Sequence, residues 1–407
     1  MTLTRRQFLA GAAGAAAAGA AGVVVARHPW AGLTAGGSGP SPVSLGGRGT
    51  LVLLTLYGGN DGLNTVIPSE DGHYLGGRAS LGYRADEILT LGDGLGLHPA
   101  MTGMKALWDH NRLAIVRGVG YPAPNRSHFR SMDIWQTAVP GSAAPTGWLG
   151  RWLDATGTDP MRALAVGTSL PRALAGERAA AAAVPVGQLA LPGGDPVRAG
   201  FGAMSAPSPG DAPLAARVAQ VGTDLLTVDH QVAELLAASP APAAGSRGGG
   251  GALASQLDLV GRLIAAGAPS RVYGVSLGGF DTHADEKQAH ARLWGEVDAA
   301  VSGFLAGLAG SRHGEGVVVV AYSEFGRRVA ANASGGTDHG TAAPVFVAGP
   351  AVKGGFYGEE PSLADLDDGD LKFTTDFRSV YATLLGDVLG VDPAPTLGGR
   401  FPPVPFL

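Results

Sequence analysis

The stretch TLVLLTLYGGNDG, from Thr50 to Gly62, carries the clearest structural signal in this chain. Thr50 to Tyr57 is an almost continuous apolar run, which is typical of a strand covered on both faces. The glycine-rich loop that follows ends the strand in a tight turn. The same pattern of an apolar run followed by a polar, glycine-containing loop returns at Val272 to Leu277 and at Val317 to Ala321.

Further predicted strands and helices alternate along the chain. Short strands are expected at Leu113 to Val116 and at Pro344 to Ala348. Apolar residues at helical spacing predict helices over four segments: Leu214 to Leu236, Ser127 to Ala138, Glu286 to Ala309 and Asp376 to Leu389. Strands that alternate with helices predict an α/β protein with a mostly parallel sheet covered on both faces.

Composition excludes several classes of protein and site. The net charge of −5 and the lack of a basic stripe argue against nucleic-acid binding. The chain contains no cysteine, so disulfides and thiolate metal sites are excluded. Charged residues make up only 15% of the chain, which favours a large folded interior over disorder.

The N-terminus resembles an export signal. Arg5 and Arg6 are followed by Phe8-Leu9 and then by a weakly apolar run from Ala10 to Ala26. This pattern predicts a twin-arginine signal peptide over residues 1–26, read by the twin-arginine export machinery, and a periplasmic, cell-surface or extracellular location. An uncleaved membrane anchor is the alternative, although the run is marginal in length and hydrophobicity for a spanning helix. We expect no stable membrane span in the mature chain.

Three boundaries follow from composition. Residues 27–48 are rich in Pro, Gly and Ser and predict a linker. Residues 49–407 are then expected to form one α/β domain. Within this domain, a low-complexity tract near 237–251 predicts a flexible surface loop.

Polar clusters follow the strands in the second half of the chain. They are Gly279-Phe280-Asp281-Thr282-His283, Ser323-Glu324-Phe325-Gly326-Arg327 and Thr337-Asp338-His339-Gly340. Carboxylates and imidazoles hold divalent metals at hydrolytic sites, and strand ends in α/β sheets are where such sites are built. The clusters therefore predict a metal-dependent enzyme that uses zinc, manganese, magnesium or calcium.

Each cluster has a simpler interpretation when taken alone. Asp281 and His283 lie two residues apart and can face one ion from an extended segment, but Asp281 could instead cap the next helix. Glu324 could be neutralised by Arg327 or Arg328. Asp338 and His339 could form a surface turn. Their joint placement beside successive strands favours the metal site.

Two residues in the first half of the chain complete the candidate site. Asp61 lies in the glycine-lined loop after the first strand, where the backbone can approach a ligand closely. Ser127 lies between Arg126 and His128 at the start of a predicted helix, where backbone N–H groups attract an anion. The alternatives are a turn-forming Asp61 and a helix-capping Ser127.

The order of these motifs resembles the alkaline phosphatase and sulfatase superfamily. Residues 50–390 look like the DUF1501 family of twin-arginine-exported proteins within it. The marks are the Gly-Gly-Asn-Asp-Gly loop, the Asn-Arg-Ser-His-Phe segment, and the Phe-Asp-Thr-His, Ser-Glu-Phe-Gly-Arg and Asp-His-Gly motifs. The resemblance implies a three-layer αβα sandwich of the alkaline phosphatase type, with one or two metal ions beside a nucleophile that attacks phosphate or sulfate esters.

Carried onto this chain, the resemblance makes Ser127 the nucleophile. It makes five residues metal ligands, namely Asp61, Asp281, His283, Glu324 and His339. Asp338 could act as a substitute ligand. Phe325 stands where the superfamily motif has a histidine, which implies a weakened or lost second metal site.

The sequence thus predicts an exported, metal-dependent hydrolase of small or polymeric phosphate or sulfate esters. Ser127 would attack the ester, and Arg126 or Arg327 would stabilise the developing charge. The alternative is a non-catalytic protein that uses the same scaffold to bind an anion or a glycan. A metal-free serine hydrolase is disfavoured, because no G-x-S-x-G turn surrounds Ser127.

Overall fold

The computed structural model describes residues 45–78, 80–187, 194–206, 208–238 and 251–407. The predicted signal peptide (1–26) lies outside these residues, as do most of the predicted linker (27–48) and the low-complexity tract near 237–251. Among the described helices, none combines the length and the apolar character that a membrane span needs.

The strands are β1 (Thr50–Leu56), β2 (Val66–Ile67), β3 (Leu89–Gly92), β4 (Leu95–Leu97), β5 (Leu113–Gly120), β6 (Ala163–Val166), β7 (Ala182–Val184), β8 (Val272–Leu277), β9 (Val317–Ser323), β10 (Arg327–Ala331), β11 (Thr337–His339), β12 (Ala343–Ala348), β13 (Gly355–Tyr357), β14 (Leu366–Asp367), β15 (Asp370–Leu371) and β16 (Thr375–Asp376). The helices are α1 (Gly72–Gly77), α2 (Thr102–Asp109), α3 (His128–Thr137), α4 (Trp148–Thr156), α5 (Gly194–Met204), α6 (Pro213–Ala238), α7 (Ala252–Ala265), α8 (Glu286–Leu308), α9 (Phe377–Thr383) and α10 (Pro393–Leu397). Short 3-10 turns cover Gly62–Asn64, Pro160–Arg162 and Arg172–Leu174.

A nine-stranded sheet forms the centre of the fold, in the order β13-β5-β12-β9-β1-β8-β6-β7, with β16 beside β5. β1 lies between β8 and β9 and is parallel to both. Only β12 in this sheet runs antiparallel, against β9 on one side and β5 on the other. The prediction of a mostly parallel central sheet is confirmed.

Helices cover both faces of the sheet because alternate residues of a buried strand point in opposite directions. Val52, Leu54 and Leu56 of β1 pack into one core with α2, α7 and α8. Leu51 and Leu53 pack into a second core with α3, α4 and α9. The predicted three layers are therefore present: the sheet buries both of its faces, and each helical layer buries one apolar face.

The predicted elements match the observed ones closely. β8 has the predicted bounds, and α3 begins one residue after the predicted Ser127. The last predicted helix, Asp376 to Leu389, is α9 continued by a π-helical turn over Leu384–Val388. These segments were predictable because the apolar residues of each one recur at one regular spacing, and polar residues or glycines mark its ends.

One edge of the sheet collects the polar loops. Leu56 of β1 is in register with Leu277 of β8 and with Ser323 of β9, so these three strands end together. β12 runs the other way, so its first residue, Ala343, lies at the same edge. The loops that carry the three polar clusters and the segment before α3 therefore meet at one place.

Candidate metal centre

Three side chains from different segments meet at this edge: His128, Asp281 and His339. Each offers one ligand atom, and these atoms all lie within 4.8 Å of one another. His128 Nε2 lies 3.0 Å from His339 Nε2, and Asp281 Oδ1 lies 3.4 Å and 3.2 Å from these two atoms. Ligand atoms bound to zinc at about 2.0–2.1 Å in a tetrahedron are roughly 3.3 Å apart. The three side chains thus have the spacing that a single small cation requires.

His283 lies next to this group and contacts two of its three members. Its Nε2 lies 3.0 Å from Asp281 Oδ1 and 3.0 Å from His339 Nε2. Its Nδ1 lies 3.3 Å from Asp338 Oδ1. Asp338 therefore contacts the outer side of the His283 ring rather than joining the converging donors.

His128 and His339, the two inner histidines, are each oriented by an oxygen atom that accepts a hydrogen bond from Nδ1. His128 Nδ1 lies 2.8 Å from Glu324 Oε1, and His339 Nδ1 lies 2.8 Å from the carbonyl oxygen of Arg126. An Nδ1–H that donates to an oxygen leaves the Nε2 lone pair free. Both rings then direct that lone pair toward the cluster, as metal-binding histidines do.

Glu324 lies directly after β9 and is buried. Its Oε1 also accepts from the Gly58 N–H at 2.9 Å, and its Oε2 accepts from the Ser323 hydroxyl at 2.9 Å. These donors compensate the cost of burying a carboxylate. The structure thus places Glu324 behind His128, as the residue that holds its ring, and not among the converging ligand atoms.

Arg327 ties the loops of the site together and is fully buried. Its Nε donates to the Gly59 carbonyl at 2.6 Å, and its Nη1 donates to the Thr337 carbonyl at 2.9 Å. Its Nη2 lies 2.7 Å from Asp281 Oδ1. Partial burial opposes ionisation of Asp281, but the hydrogen bond and charge of Arg327 prevail and lower the pKa of Asp281 to about 2.

Residues 48–395 match the family described as "Protein of unknown function (DUF1501)". This chain belongs to the DUF1501 family. The match covers the central sheet and every residue of the centre, so the resemblance found in the sequence is confirmed at the level of the family.

Solved structures similar to this DUF1501 protein include a member of the alkaline phosphatase superfamily and a sulfatase. A protein of that superfamily from Vibrio parahaemolyticus is 11% identical with a TM-score of 0.40, and the match covers 89% of this chain and 72% of that one. The C-terminal periplasmic domain of EcEptC from Escherichia coli, in complex with Zn, is 10% identical with a TM-score of 0.35, covering 77% and 78%. A 2-O GAG sulfatase is 11% identical with a TM-score of 0.32, covering 75% and 65%.

A search of curated proteins found no match to the chain. Identities and TM-scores this low carry no functional argument. The chemistry of this DUF1501 protein is therefore inferred from its own side chains.

The structure does not bring Asp61 to the centre. Its side chain is fully buried, and its Oδ2 accepts from the Arg78 guanidinium, which is equally buried. Burial raises the pKa of Asp61, but the charge of Arg78 outweighs this and holds the pKa well below its usual value. The Asp61 carboxylate, which was predicted to bind a metal, forms an ion pair with Arg78 instead.

Phe325 packs under the two inner histidines. Its ring centroid lies 4.8 Å from that of His128 and 5.0 Å from that of His339. A hydrocarbon ring offers no ligand atom. Among the described residues, only the group of His128, Asp281 and His339 has ligand atoms close enough together to bind a metal ion. The geometry therefore fits one ion.

The Arg126 side chain points away from the centre. Its Nε donates to Asp370 Oδ2 at 2.6 Å, and its Nη2 lies 3.4 Å from Asp368 Oδ2. Only its backbone carbonyl touches the cluster, through His339. Neither Arg126 nor Arg327 thus presents an unpaired guanidinium to a ligand in this conformation.

Ser127 is the N-cap residue of α3 and is exposed. Its hydroxyl makes no capping hydrogen bond to the described helix, while its N–H donates to Asn125 Oδ1 at 2.9 Å. Both neighbours in the sequence touch the centre, Arg126 through its carbonyl and His128 through its ring. Ser127 is therefore beside the cluster without contacting it.

His128 is the member of this cluster that the sequence analysis did not predict. In the sequence it stands out only as a neighbour of Ser127, because a histidine in the first turn of a helix has no pattern of its own. The Asn-Arg-Ser-His-Phe segment was the one available signal. The side chain reaches the centre because α3 starts at the edge where the strands end.

Proposed function

We propose that this DUF1501 protein is a metal-dependent hydrolase of phosphate or sulfate esters that binds one divalent cation. His128, Asp281 and His339 would hold the ion, with His283 as a further ligand. One observation carries the proposal: the two inner histidines each bond to an oxygen through Nδ1 and direct Nε2 toward Asp281 Oδ1. This arrangement of imidazoles and carboxylate is the one that metal ligands adopt.

The donor set favours certain ions. Several imidazole nitrogens and one carboxylate oxygen suit zinc and other transition metals, whereas magnesium and calcium prefer oxygen ligands. When bound, such an ion would polarise an ester oxygen and lower the pKa of a hydroxyl at the site. Glu324 would keep the His128 ring in place, and Arg327 would hold Asp281 in its ionised form.

Ser127 is the proposed nucleophile. It adjoins a metal-facing histidine, and the N–H groups in the first turn of α3 favour an anionic group next to it. Its hydroxyl would release its proton to solvent, and its oxygen would form a bond to phosphorus or sulfur as the bond to the leaving oxygen breaks. Water would then cleave the serine ester and restore the hydroxyl. The exposed position of Ser127 leaves room for an ester to approach.

A non-catalytic anion- or glycan-binding protein is the second candidate. It is favoured by the contact between Arg327 and Asp281, which gives the carboxylate a cationic partner without any metal. With a proton on Nε2 as well, the histidines around this neutralised carboxylate could donate hydrogen bonds to a phosphate or sulfate group.

Export through the twin-arginine machinery is also proposed. It rests on Arg5 and Arg6 and the apolar run after them. Such a route would deliver the hydrolase to esters outside the cytoplasm.

The first test measures zinc binding to the purified chain and to the His128→Ala variant. We expect one zinc per wild-type chain and an affinity lower by roughly a hundredfold or more in the variant, because a direct ligand is lost. His230→Ala is the matched control, since His230 is a 71% exposed histidine on another helix. Equal zinc affinity in wild type and His128→Ala would remove His128 from the centre.

The second test measures turnover of aryl phosphates, phosphodiesters and aryl sulfates with each metal added singly. We expect Ser127→Ala to lower kcat by about a thousandfold or more while zinc stays bound. Full activity in Ser127→Ala would rule out the serine nucleophile. A zinc-loaded wild type that hydrolyses none of these esters would favour the binding protein.

A further inference from the structure

A cavity of about 450 Å³ opens beside the metal centre. Tyr57 and Gly58, directly after β1, form part of its lining. Most of the remaining lining is one face of α3, made by His128, Phe129, Met132, Asp133 and Gln136. These positions share a face because residues four apart stack along a helix. A ligand atom of the centre and the wall of the cavity thus come from the same helix.

The wall of this cavity is mostly apolar. Phe129 is 92% exposed, and Met132 lies one helical turn further along the same face. Tyr57 also lines the cavity, and its hydroxyl accepts a hydrogen bond from Gln136 Nε2 at 3.3 Å. A single exposed phenylalanine is common, but aromatic and thioether groups that line one cavity are typical of a ligand site.

The charged groups at the far end of the cavity are paired. Asp133 forms ion pairs with Arg172 and with Arg130, the latter at 2.8 Å. Gln136 is engaged with Tyr57. An uncharged group therefore suits this end, whereas the ionic chemistry is confined to the end that holds His128 and Asp281.

We propose that the cavity binds the organic group of the ester and that this group is aromatic or flat and apolar. The inference rests on the proposed hydrolase function and names its substrate class. A helix rises 1.5 Å per residue, which places Gln136 about 12 Å from His128 along α3. This length accommodates a group of naphthyl size, with its ring between Tyr57 and Phe129 and its anionic end at the histidines.

The test compares naphthylphosphonate with methylphosphonate by calorimetry on the zinc-loaded full chain. We expect naphthylphosphonate to bind about tenfold tighter or more, because the ring buries apolar surface that a methyl group lacks. Phe129→Ala should lower this ratio severalfold. Leu214→Ala should leave it unchanged, since Leu214 is a 77% exposed apolar residue that does not line the cavity. Zinc content is measured in every variant.

Equal affinity for the two phosphonates, or no binding of naphthylphosphonate, would overturn the inference. Tighter binding of glucose 1-phosphate than of naphthylphosphonate would also overturn it and indicate a sugar site. Ester turnover on the same preparations separates the two proposals. A naphthyl preference without turnover contradicts only the hydrolase, and turnover without a naphthyl preference contradicts only the aromatic site.

Discussion

His128 is held between a carboxylate and an aromatic ring. Glu324 accepts from its Nδ1, and Phe325 packs against its face. Both residues come from the short segment after β9, so a single loop sets the orientation of a candidate ligand on another element. The charge of Glu324 also makes the imidazole a stronger donor to a cation.

Glu324→Gln should weaken metal binding without removing a ligand. The amide keeps the size of the side chain and loses its charge, so we expect zinc affinity to fall about 10–100-fold. Chelator competition measures this change. Glu234→Gln, at a largely exposed position on α6, is the control and should bind zinc like the wild type. An unchanged affinity in Glu324→Gln would show that Glu324 does not tune His128.

The loop between β1 and the 3-10 turn is shaped by its close approach to the segment after β9. Gly59 has φ +69°, and a Cβ there would lie 2.3 Å from Phe325 Cε2. Only glycine combines this left-handed conformation with the space that the ring needs. The loop thus lets Phe325 lie under the two histidines.

Gly59→Ala should therefore combine backbone strain with a steric clash. Gly310 is the matched control, because its φ is +72° and no atom of the described residues lies within 4 Å of the position that a Cβ would occupy there. We expect Gly59→Ala to lower the free energy of unfolding by about 1–3 kcal/mol more than Gly310→Ala. Urea denaturation measures both. Equal losses would mean that Phe325 moves aside without cost.

At the scale of the whole molecule, a buried polar network joins elements that are distant in the sequence. Glu286, at the start of α8, accepts from the Thr337 hydroxyl at 2.5 Å. Burial, and then the negative charge of Asp61, raise the pKa of Glu286. Asp61 Oδ1 is buried and accepts no hydrogen bond from any amide, hydroxyl or cation of the described residues. A protonated Glu286 would supply that missing donor, since its carboxyl group interacts with Asp61.

This network predicts a pH dependence of stability. The pKa of Glu286 is raised in the folded state above its ordinary 4.5, so folding retains a proton that the unfolded chain loses. Its contribution is complete below pH 4.5 and declines as the pH rises above it. The decline is at most about 1.4 kcal/mol per pH unit.

Glu286→Gln keeps a donor for Asp61 and removes the titration. We expect the free energy of unfolding of the wild type to fall relative to this variant between about pH 5 and pH 8. His98 and His290, whose pKa values burial lowers to about 3 and about 4, titrate in both proteins and largely cancel in the difference. Urea unfolding at several pH values measures the difference in the free energy of unfolding between the two proteins. Parallel curves would mean that Glu286 is ionised in the folded protein.

Local pattern was sufficient to predict the sheet and the edge that carries the site. β1, β8 and β9 are apolar runs of strand length bounded by glycine-containing loops, and parallel neighbours end at one edge. The meeting of Asp281, His283 and His339 followed from this layout. These features depend on the period and burial of short segments, which a sequence displays directly.

The pairing of charges emerged only from the folded chain. Asp61 forms an ion pair with Arg78, Glu324 lies behind His128, and His128 itself joins the cluster with Asp281 and His339. Nothing in the local pattern around these residues specifies such partners. A buried carboxylate binds whichever donor the packing brings to it, and the cost of burying its charge makes that choice a property of the three-dimensional contacts.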